Sequence, residues 1–261
     1  MPDTVMDQYW RLPPISRTLA TYMFFTSLAL HFGYIPFQWL IYNKYYIFNF
    51  PPQIWRLATG SLITGPELGL VFDTYFFYSA ASHMETGHPR MRRKEDFIWY
   101  LICVSFFIAV IDYFVAIMPF YALTRALIVA LTYTATQQQQ GLTVTYIVIP
   151  MPAPLMPYAM ILVSLLFPGG IKDFFLGLYG LVAAHLWEFL SRIYPQLGGG
   201  PNILKTPKFM TSLVRIVEGR RQLFSSSGAV GGAPASGSST GAESGPLPDS
   251  WRTRGSGQRL G

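Results

Sequence analysis

Cysteine, charge and glycosylation signals are all scarce in this chain. Its single cysteine, Cys103, has no partner within the sequence, so a disulfide framework is excluded. No N-x-S/T glycosylation signal occurs. Charged residues make up 12% of the chain against 51% for hydrophobic residues, and the hydrophobic residues gather into long runs. This composition predicts an all-α protein that crosses a lipid bilayer several times.

Six apolar runs are predicted to span the membrane, because a helix that rises about 1.5 Å per residue must cross a core of about 30 Å. The second, fourth and fifth runs are short. The six are Thr18–Ile35, Leu68–Ser82, Phe97–Met118, Phe120–Ala135, Leu155–Phe167 and Asp173–Tyr194. Residues 1–17 show no cleavable signal pattern, so we expect the first span to act as the targeting signal.

The distribution of basic residues predicts that both ends of the chain are cytosolic. Cytosolic segments of membrane proteins carry an excess of lysine and arginine. With the N-terminus inside, the opposite side holds only Lys44, Arg56 and Lys172. The cytosolic set comprises Arg11, Arg17, Arg90, Arg92, Arg93, Lys94 and the nine basic residues from Arg192 onward. This asymmetry accounts for most of the net charge of +6, so nucleic acid is not an expected partner.

A long aromatic loop, residues 36–64, follows the first span on the non-cytosolic side. It carries Trp55-Arg56 shortly after a double proline. Tryptophan and tyrosine rings favour the membrane interface, where one end of the ring stays wet. We therefore expect this loop to lie at the bilayer surface.

The segment QQQQGLTVTYIVIPMPAPLMP, residues 137–157, separates the fourth and fifth spans. It begins polar, alternates briefly like a strand and then carries four prolines, which disfavour a continuous helix. If the fifth span begins only at Leu155, it rises roughly 20 Å by Phe167 and would thin the bilayer around it. The alternative is a longer span kinked at the prolines.

The C-terminal tail changes in composition at about Phe224. Glycine, serine, alanine and proline then dominate, and such a segment cannot offset its ordering entropy, so we expect disorder from about residue 225. The ending WRTRGSGQRLG is typical of a short partner-binding motif, with inconsequential flexible sequence as the alternative. The predicted organisation is a cytosolic segment 1–17, a membrane domain 18–210, a cytosolic linker 211–250 and a terminal motif 251–261.

The stretch GLYGLVAAHLWEFL, residues 177–190, sets His185 and Glu188 on one face of the sixth predicted span. An ionisable side chain at membrane depth is costly, so a functional role is the default hypothesis, and catalysis, helix packing and a relic without function are the alternatives to be weighed. Gly180 and Ala184 make a small-xxx-small step, which lets another helix approach closely.

Asp112 and Arg125 are two further charges within predicted spans. Each lies about six residues from the turn at Met118-Pro119, so antiparallel helices would set both about 10 Å deep. Opposite charges at equal depth favour an ion pair. The alternative is that each charge faces a separate water-filled cavity.

Several of these residues together resemble a known family. The block YPQLGGGPNILKTPKFM, residues 194–210, follows a span with AAHLWEFL, while Trp55-Arg56 stands in the first loop and Glu85-Thr86-Gly87 after the second span. This collinear set, over roughly residues 8–210, resembles the Derlin family of fungal type, rhomboid-like pseudoproteases of the endoplasmic reticulum membrane. The resemblance implies a rhomboid-like six-helix bundle with both termini cytosolic. The family has glycine at both positions of the small-xxx-small step, so Ala184 is a departure that preserves smallness.

The end of the chain resembles a family motif as well. GSGQRLG is similar to the SHP box, which docks on the hexameric AAA ATPase called valosin-containing protein. Trp251 lies farther from the glycines than in the family pattern. The resemblance assigns ATPase binding to Gly255, Gly257, Gln258, Arg259, Leu260 and Gly261.

The resemblance raises the question of whether His185 is the catalytic base of a protease. In active rhomboids a serine in a G-x-S-G turn before the fourth helix is activated by a histidine on the sixth, and His185 occupies the place of that histidine. The fourth span has neither glycine nor serine, and no G-x-S-G occurs in the chain. Thr132 or Thr134 is the alternative nucleophile, but a threonine inside a helix more often bonds its own backbone. We expect no catalytic residue, no metal and no cofactor.

His185 is then expected to be a polar residue satisfied inside the bundle, with Glu188 as its partner or directed toward the cytosolic edge. The resemblance implies assistance to the retrotranslocation of misfolded proteins from the endoplasmic reticulum to the cytosol. The implied partners are valosin-containing protein, an E3 ubiquitin ligase complex, misfolded substrates, the lipid bilayer and further copies of this or a related chain. A membrane scaffold without a conduit and an active intramembrane protease are the alternatives.

Overall fold

The computed structural model describes residues 4–48, 50, 53–66, 68–88, 91, 93–115, 117–137, 139, 141–146, 149–166, 170–198 and 204–216. These residues belong to one compact unit, Met1–Ile216. A second unit, Val217–Gly261, lies outside the described residues, and with it the expected disordered tail and the terminal motif.

Helices α1 and α2 form the N-terminal hairpin of the fold. α1 (Val5–Arg11) begins at a capping box, in which the side chains of Thr4 and Asp7 bond each other's backbone N–H groups. α2 (Pro14–His31) begins with a proline, whose fixed φ suits the first turn of a helix. Just past the C-cap of α2, Phe32, the φ of 78° at Gly33 lets the Tyr34 N–H return to the Ala29 carbonyl.

Three short helices, α3 (Phe37–Leu40), α4 (Lys44–Phe48) and α5 (Trp55–Gly60), lie within the aromatic loop. The longer helices follow: α6 (Leu68–Gly87), α7 (Lys94–Val115), α8 (Thr124–Thr136), α9 (Met156–Ser164) and α10 (Gly170–Glu188). α10 continues through a π-helical turn, Phe189–Ile193, into α11 (Tyr194–Gly198). Residues 208–216 are also helical.

The core of the bundle is built around α8. Eleven of its 13 residues are buried, and it packs against α6, α7, α9 and α10. α2 packs against α6 on the outside of this group. The two residues of α8 that are not buried are Arg125 and Ala135, so this segment of only 13 residues is enclosed on almost all sides.

A β-hairpin precedes α9. β1 (Thr143–Tyr146) and β2 (Ile149–Pro152) pair antiparallel, with Thr143 opposite Pro152 and Tyr146 opposite Ile149. A 3₁₀ turn (Ala153–Leu155) then leads into α9, so the apolar helical segment runs only from Ala153 to Ser164. The alternative of a longer, proline-kinked fifth span is wrong, because the residues before Ala153 are paired as strands. The segment rises roughly 19 Å.

Two of the described helices are long and apolar enough to cross a membrane: Lys94–Val115 and the continuous run Gly170–Leu197. α2 and α6 are long but more polar, and α8 and α9 are short. The helix ends also differ from the predicted spans, because caps rather than hydropathy fix them. α2 begins at Pro14 instead of Thr18, and α6 continues to Gly87, so Glu85 lies inside its last turn.

Candidate functional site: polar contacts among the helices

Arg125 joins three helices through two carboxylates. Its Nε lies 3.4 Å from Asp73 Oδ1 on α6 and 3.6 Å from Asp173 Oδ2 on α10. The Asp73 side chain is only 5% exposed, whereas those of Arg125 and Asp173 are 26% and 34% exposed. We call these three residues the Arg125 cluster. It places charge, partly open at its edge, between α6, α8 and α10.

The predicted pair between Asp112 and Arg125 is wrong. Asp112 is buried and accepts a hydrogen bond from the hydroxyl of Tyr42, at 3.0 Å, while Arg125 contacts the carboxylates of its own cluster. The distance of each residue from the turn predicted its depth in the membrane. It did not predict the rotation of each helix about its axis, which decides where the side chain points. Burial, and then the nearby Asp112 carboxylate, raise the pKa of the Tyr42 phenol, so Tyr42 stays a neutral donor.

His185 contacts a tyrosine of α8. Its Nδ1 lies 2.9 Å from the Tyr133 hydroxyl, and the two ring centroids are 4.3 Å apart. The expectation that His185 is enclosed in the bundle is wrong: its side chain is exposed, because α10 buries the face that carries Ala184 and Trp187. Glu188 lies 3.2 Å from Arg192, one turn toward the C-terminus. Glu188 therefore reaches toward the C-terminal end of α10, and that this end faces the cytosol stays a prediction.

The threonines of α8 are not arranged as nucleophiles. Thr132 and Thr134 are both buried. The Thr134 hydroxyl donates to the Ala130 carbonyl at 3.1 Å and lies 2.8 Å from the Tyr100 hydroxyl. In the described part of the chain, the hydroxyl that bonds His185 is a phenol, which ordinarily holds its proton until about pH 10. A serine-like nucleophile and base are therefore not brought together there.

Gly180 lies directly against the backbone of α8. A Cβ at this position would overlap the Ala126 carbonyl oxygen, so a side chain has no room. Ala184, one turn later, is fully buried. The two small residues lie where α10 packs on α8, and this is close backbone contact of the small-residue kind.

Arg56 holds the aromatic loop together. Its Nη1 donates to the carbonyls of Gln38 and Ile41, at 2.6 and 3.2 Å, and its Nε donates to the Gln53 side chain at 2.5 Å. The guanidinium also lies 4.9 Å from the centroid of the Tyr46 ring. Trp55 is different, because its ring is largely exposed. The arginine of this motif therefore orders the loop, while the tryptophan is free to meet the bilayer interface.

Glu85 caps a helix other than its own. Its carboxylate accepts hydrogen bonds from the backbone N–H groups of Ile15 and Ser16, at 3.0 and 2.7 Å, and from the Ser16 hydroxyl at 2.6 Å. These amides are in the first turn of α2, where backbone donors have no partner within the helix and negative charge is favoured. Glu85 therefore joins the end of α6 to the start of α2.

Described residues of the block 194–210 pack against the first turns of α7. Trp99 donates its indole N–H to the Leu204 carbonyl at 3.1 Å, and the Thr206 hydroxyl donates to Asp96 at 2.5 Å. Trp99 and Phe209 also meet edge to face, with ring centroids 6.2 Å apart. The described part of this block thus closes the bundle at one end of α7.

Asp73, Asp173, Tyr42 and Tyr133 are site residues that the sequence analysis missed. The signal for Asp73 was present, because it is an acidic residue inside the second apolar run, as Asp112 is inside the third. Asp173 was taken as the first residue of a span. The two tyrosines gave no signal, since many tyrosines occur in the chain. The residues predicted to bind an ATPase, Gly255, Gly257, Gln258, Arg259, Leu260 and Gly261, lie outside the described residues.

In the described residues, the fold is a helical bundle with two candidate membrane spans and with charged residues between its helices. Residues 12–208 match the Der1-like family, and the chain belongs to that family. Membership connects the chain with endoplasmic-reticulum-associated degradation and with a rhomboid-like group of inactive proteins.

The chain is similar to Derlin-1 of Arabidopsis thaliana, with 29% identity over 212 residues, which cover 79% of this chain and 76% of the relative. It is similar to Derlin-1 of Oryza sativa subsp. japonica at 29% identity, over 80% of this chain and 84% of the relative. Derlin-1 of Drosophila melanogaster is 26% identical, over 81% and 84%. The fungal-type assignment stays a prediction.

Proposed function

We propose that this chain is a non-catalytic, six-span component of the endoplasmic reticulum membrane that assists the movement of misfolded proteins to the cytosol. The spans would be α2, α6, α7, α8, the segment Ala153–Ser164, and α10 with its extension. Both termini would be cytosolic, as the distribution of basic residues predicts. Family membership and the degradation role connected with it support the proposal.

The short apolar segment Ala153–Ser164 is the observation that carries the proposal. It rises roughly 19 Å, about a third less than the hydrocarbon core of a bilayer. A span this short thins the bilayer or admits water around it. Within the described residues the preceding hairpin is a sheet of two strands only, and strand edges without partners are tolerated at membrane depth only against protein or water. A thin, hydrated region lowers the barrier for a polar polypeptide.

The Arg125 cluster supports the same conclusion. Charges at membrane depth face the interior of the protein or a water-filled cavity, and Asp173 and Arg125 are both partly exposed. Tyr146, at the end of β1, packs on Phe76 of α6, with ring centroids 5.3 Å apart. The hairpin and the cluster are therefore both held against α6.

The absence of a G-x-S-G sequence and the phenol partner of His185 support a role without proteolysis. We expect the purified full-length chain in bilayers not to cleave rhomboid substrates, and His185→Ala to leave substrate degradation in cells intact. Cleavage that His185→Ala abolishes would make the chain a protease instead.

Site-specific photocrosslinking of a translocating lumenal substrate tests the proposal. A photoreactive residue at Leu162, which is exposed on α9, is expected to label the substrate during export, whereas one at the similarly exposed Phe106 on α7 is expected not to. Equal labelling at both positions, or labelling at neither while degradation continues, would favour a scaffold that binds substrates and E3 ligases without conducting them.

A further inference from the structure

A cavity of about 990 Å³ opens between α1, α2 and α6. Its walls are almost wholly apolar and include the side chains of Tyr9, Phe24, Phe25, Val71 and Tyr75. Specific ligand sites occupy roughly 300–1,000 Å³, so this cavity can hold one large apolar ligand. Neither the Arg125 cluster nor His185 lines it.

Arg17 lines the same cavity and brings a positive charge. The side chain is only 5% exposed. Its Nη1 donates to the carbonyls of Tyr9 and Trp10, at 3.0 and 2.9 Å, and the guanidinium lies over both of those rings. Its Nε is buried without a hydrogen-bond partner. Within the described part of the chain, no carboxylate forms an ion pair with Arg17.

A buried guanidinium without a counter-ion is unfavourable, because charges removed from water are normally paired. The two aromatic rings compensate only in part. The nearby Glu85 carboxylate is already bonded to the amides of Ile15 and Ser16. The chemistry of the cavity therefore calls for an anionic group from outside the chain.

The polarity of the cavity runs in one direction. Arg17 lies in the first turn of α2, and the lining residues of α2 continue from there to Phe25, eight positions or about 12 Å along the helix. Val71 and Tyr75 of α6 continue the apolar wall. A charged end followed by an apolar channel matches a phospholipid, with its phosphate at Arg17 and an acyl chain between α2 and α6. A second apolar helix would leave the guanidinium without its anion.

We propose that the cavity between α1, α2 and α6 is a phospholipid site, in which Arg17 binds the phosphate and the apolar wall binds an acyl chain. The lipid would supply the missing anion and would fasten α1 to the first helix pair. This site is independent of the proposed role in protein export.

Photolabelling of the purified full-length protein in a nonionic detergent tests the proposal. The probe is phosphatidylserine with a diazirine on one acyl chain, and labelled peptides are read by mass spectrometry. We expect saturable labelling of residues 20–25 and 71–78. Unlabelled phosphatidylserine should compete, and the same concentration of inorganic phosphate should not. Labelling spread evenly over all apolar helices, or competition by inorganic phosphate, would overturn the proposal.

Two variants separate the charge from the wall. Arg17→Gln should reduce labelling about tenfold, the scale expected when a charge-assisted hydrogen bond is lost. Because Arg17 also bonds α1, Val71→Trp provides a second test that fills the cavity without touching the charge. Val71 and Val182 are 58% and 48% exposed, and Val182 lies on α10 away from the cavity, so Val182→Trp is the matched control. Undiminished labelling of either Arg17→Gln or Val71→Trp would contradict the proposal.

Discussion

Gly180 shows how strictly a single residue can be specified inside this bundle. The α8 backbone occupies the space in which a Cβ would lie, so the restriction is on volume and not on backbone conformation. The side chain of even the smallest chiral residue must push two helices apart. Packed interiors yield little to such a change, because few voids exist to absorb it.

We expect Gly180→Ala to destabilise the bundle by about 1–3 kcal/mol, the usual range for overpacking, despite the better helix propensity of alanine. The measurement is the midpoint of thermal unfolding of the full-length protein in detergent. Gly69→Ala is the control, because a Cβ there meets only Asp73 Oδ2, at 3.6 Å. A lower midpoint for Gly69→Ala than for Gly180→Ala would contradict the assigned contact.

Arg56 and Trp55 are neighbours with separable roles. Arg56→Ala should loosen the loop, because three hydrogen-bond acceptors lose their donor, and Arg56→Lys should not restore it, since an ammonium cannot reproduce a planar fork. Trp55→Ala should leave the loop ordered. Limited proteolysis within residues 36–64 measures this order, and both alanine variants should slow substrate degradation in cells.

A loop in Arg56→Ala that resists protease like the wild type would show that the hydrogen bonds are dispensable. Normal degradation in both alanine variants would remove the loop from the export mechanism.

Between helices, the Arg125 cluster links α6, α8 and α10 through two carboxylates that differ in burial. Asp73 is almost fully buried and depends on Arg125 for its counter-charge, whereas Asp173 is partly open to solvent. Removing one partner of a buried pair leaves an uncompensated charge, which is more costly than removing the pair as a whole.

We therefore expect Arg125→Gln to destabilise the bundle by about 3 kcal/mol and Asp173→Asn by less than about 1 kcal/mol. The double variant Arg125→Gln/Asp73→Asn should be more stable than Arg125→Gln alone. Denaturant unfolding of the wild type, Arg125→Gln, Asp73→Asn and the double variant completes a double-mutant cycle, which measures the coupling. Additive effects of the changes at Arg125 and Asp73 would mean that the two side chains do not interact.

The sequence predicted the helical segments better than the side-chain contacts between helices. The prolines at residues 150–157 indicated a short fifth helical segment, with a longer kinked span as the open alternative, because proline disfavours a continuous helix. The partner of Arg125 was not predictable, because a pair between helices depends on their rotation, and hydropathy along one helix carries no such information. The prediction that His185 is enclosed in the bundle was wrong for the same reason. The spacing of the residues identified the face of α10 that carries His185, but not what lies against that face.

For the whole molecule, we propose that the last seven residues bind the ATPase valosin-containing protein and that the preceding linker gives them reach. The composition of residues 225–250 predicts a flexible linker, and about 26 residues of that kind have a root-mean-square span near 28 Å, which would let the motif search a wide volume at modest entropic cost. Leu260→Ala should weaken binding of the full-length protein to valosin-containing protein at least tenfold, as for a side chain that fills a central pocket. Calorimetry with the protein in nanodiscs measures this.

Shortening the linker by a few residues is the control and should change affinity little. If a chain lacking Gly255 to Gly261 bound as tightly as the intact one, recruitment would have to be assigned to the basic residues Arg215, Arg220 and Arg221.

The contact of Glu85 with α2 can form only after a delay during synthesis of the chain. Ile15 and Ser16 leave the ribosome about 70 residues before the group that caps them, and elongation at 5–20 residues per second makes this delay roughly 4–14 s. Throughout that interval the amides of the first turn of α2 lack the carboxylate that binds them in the folded protein. The N-terminus of α2 therefore cannot reach its final set of hydrogen bonds until α6 has been synthesised.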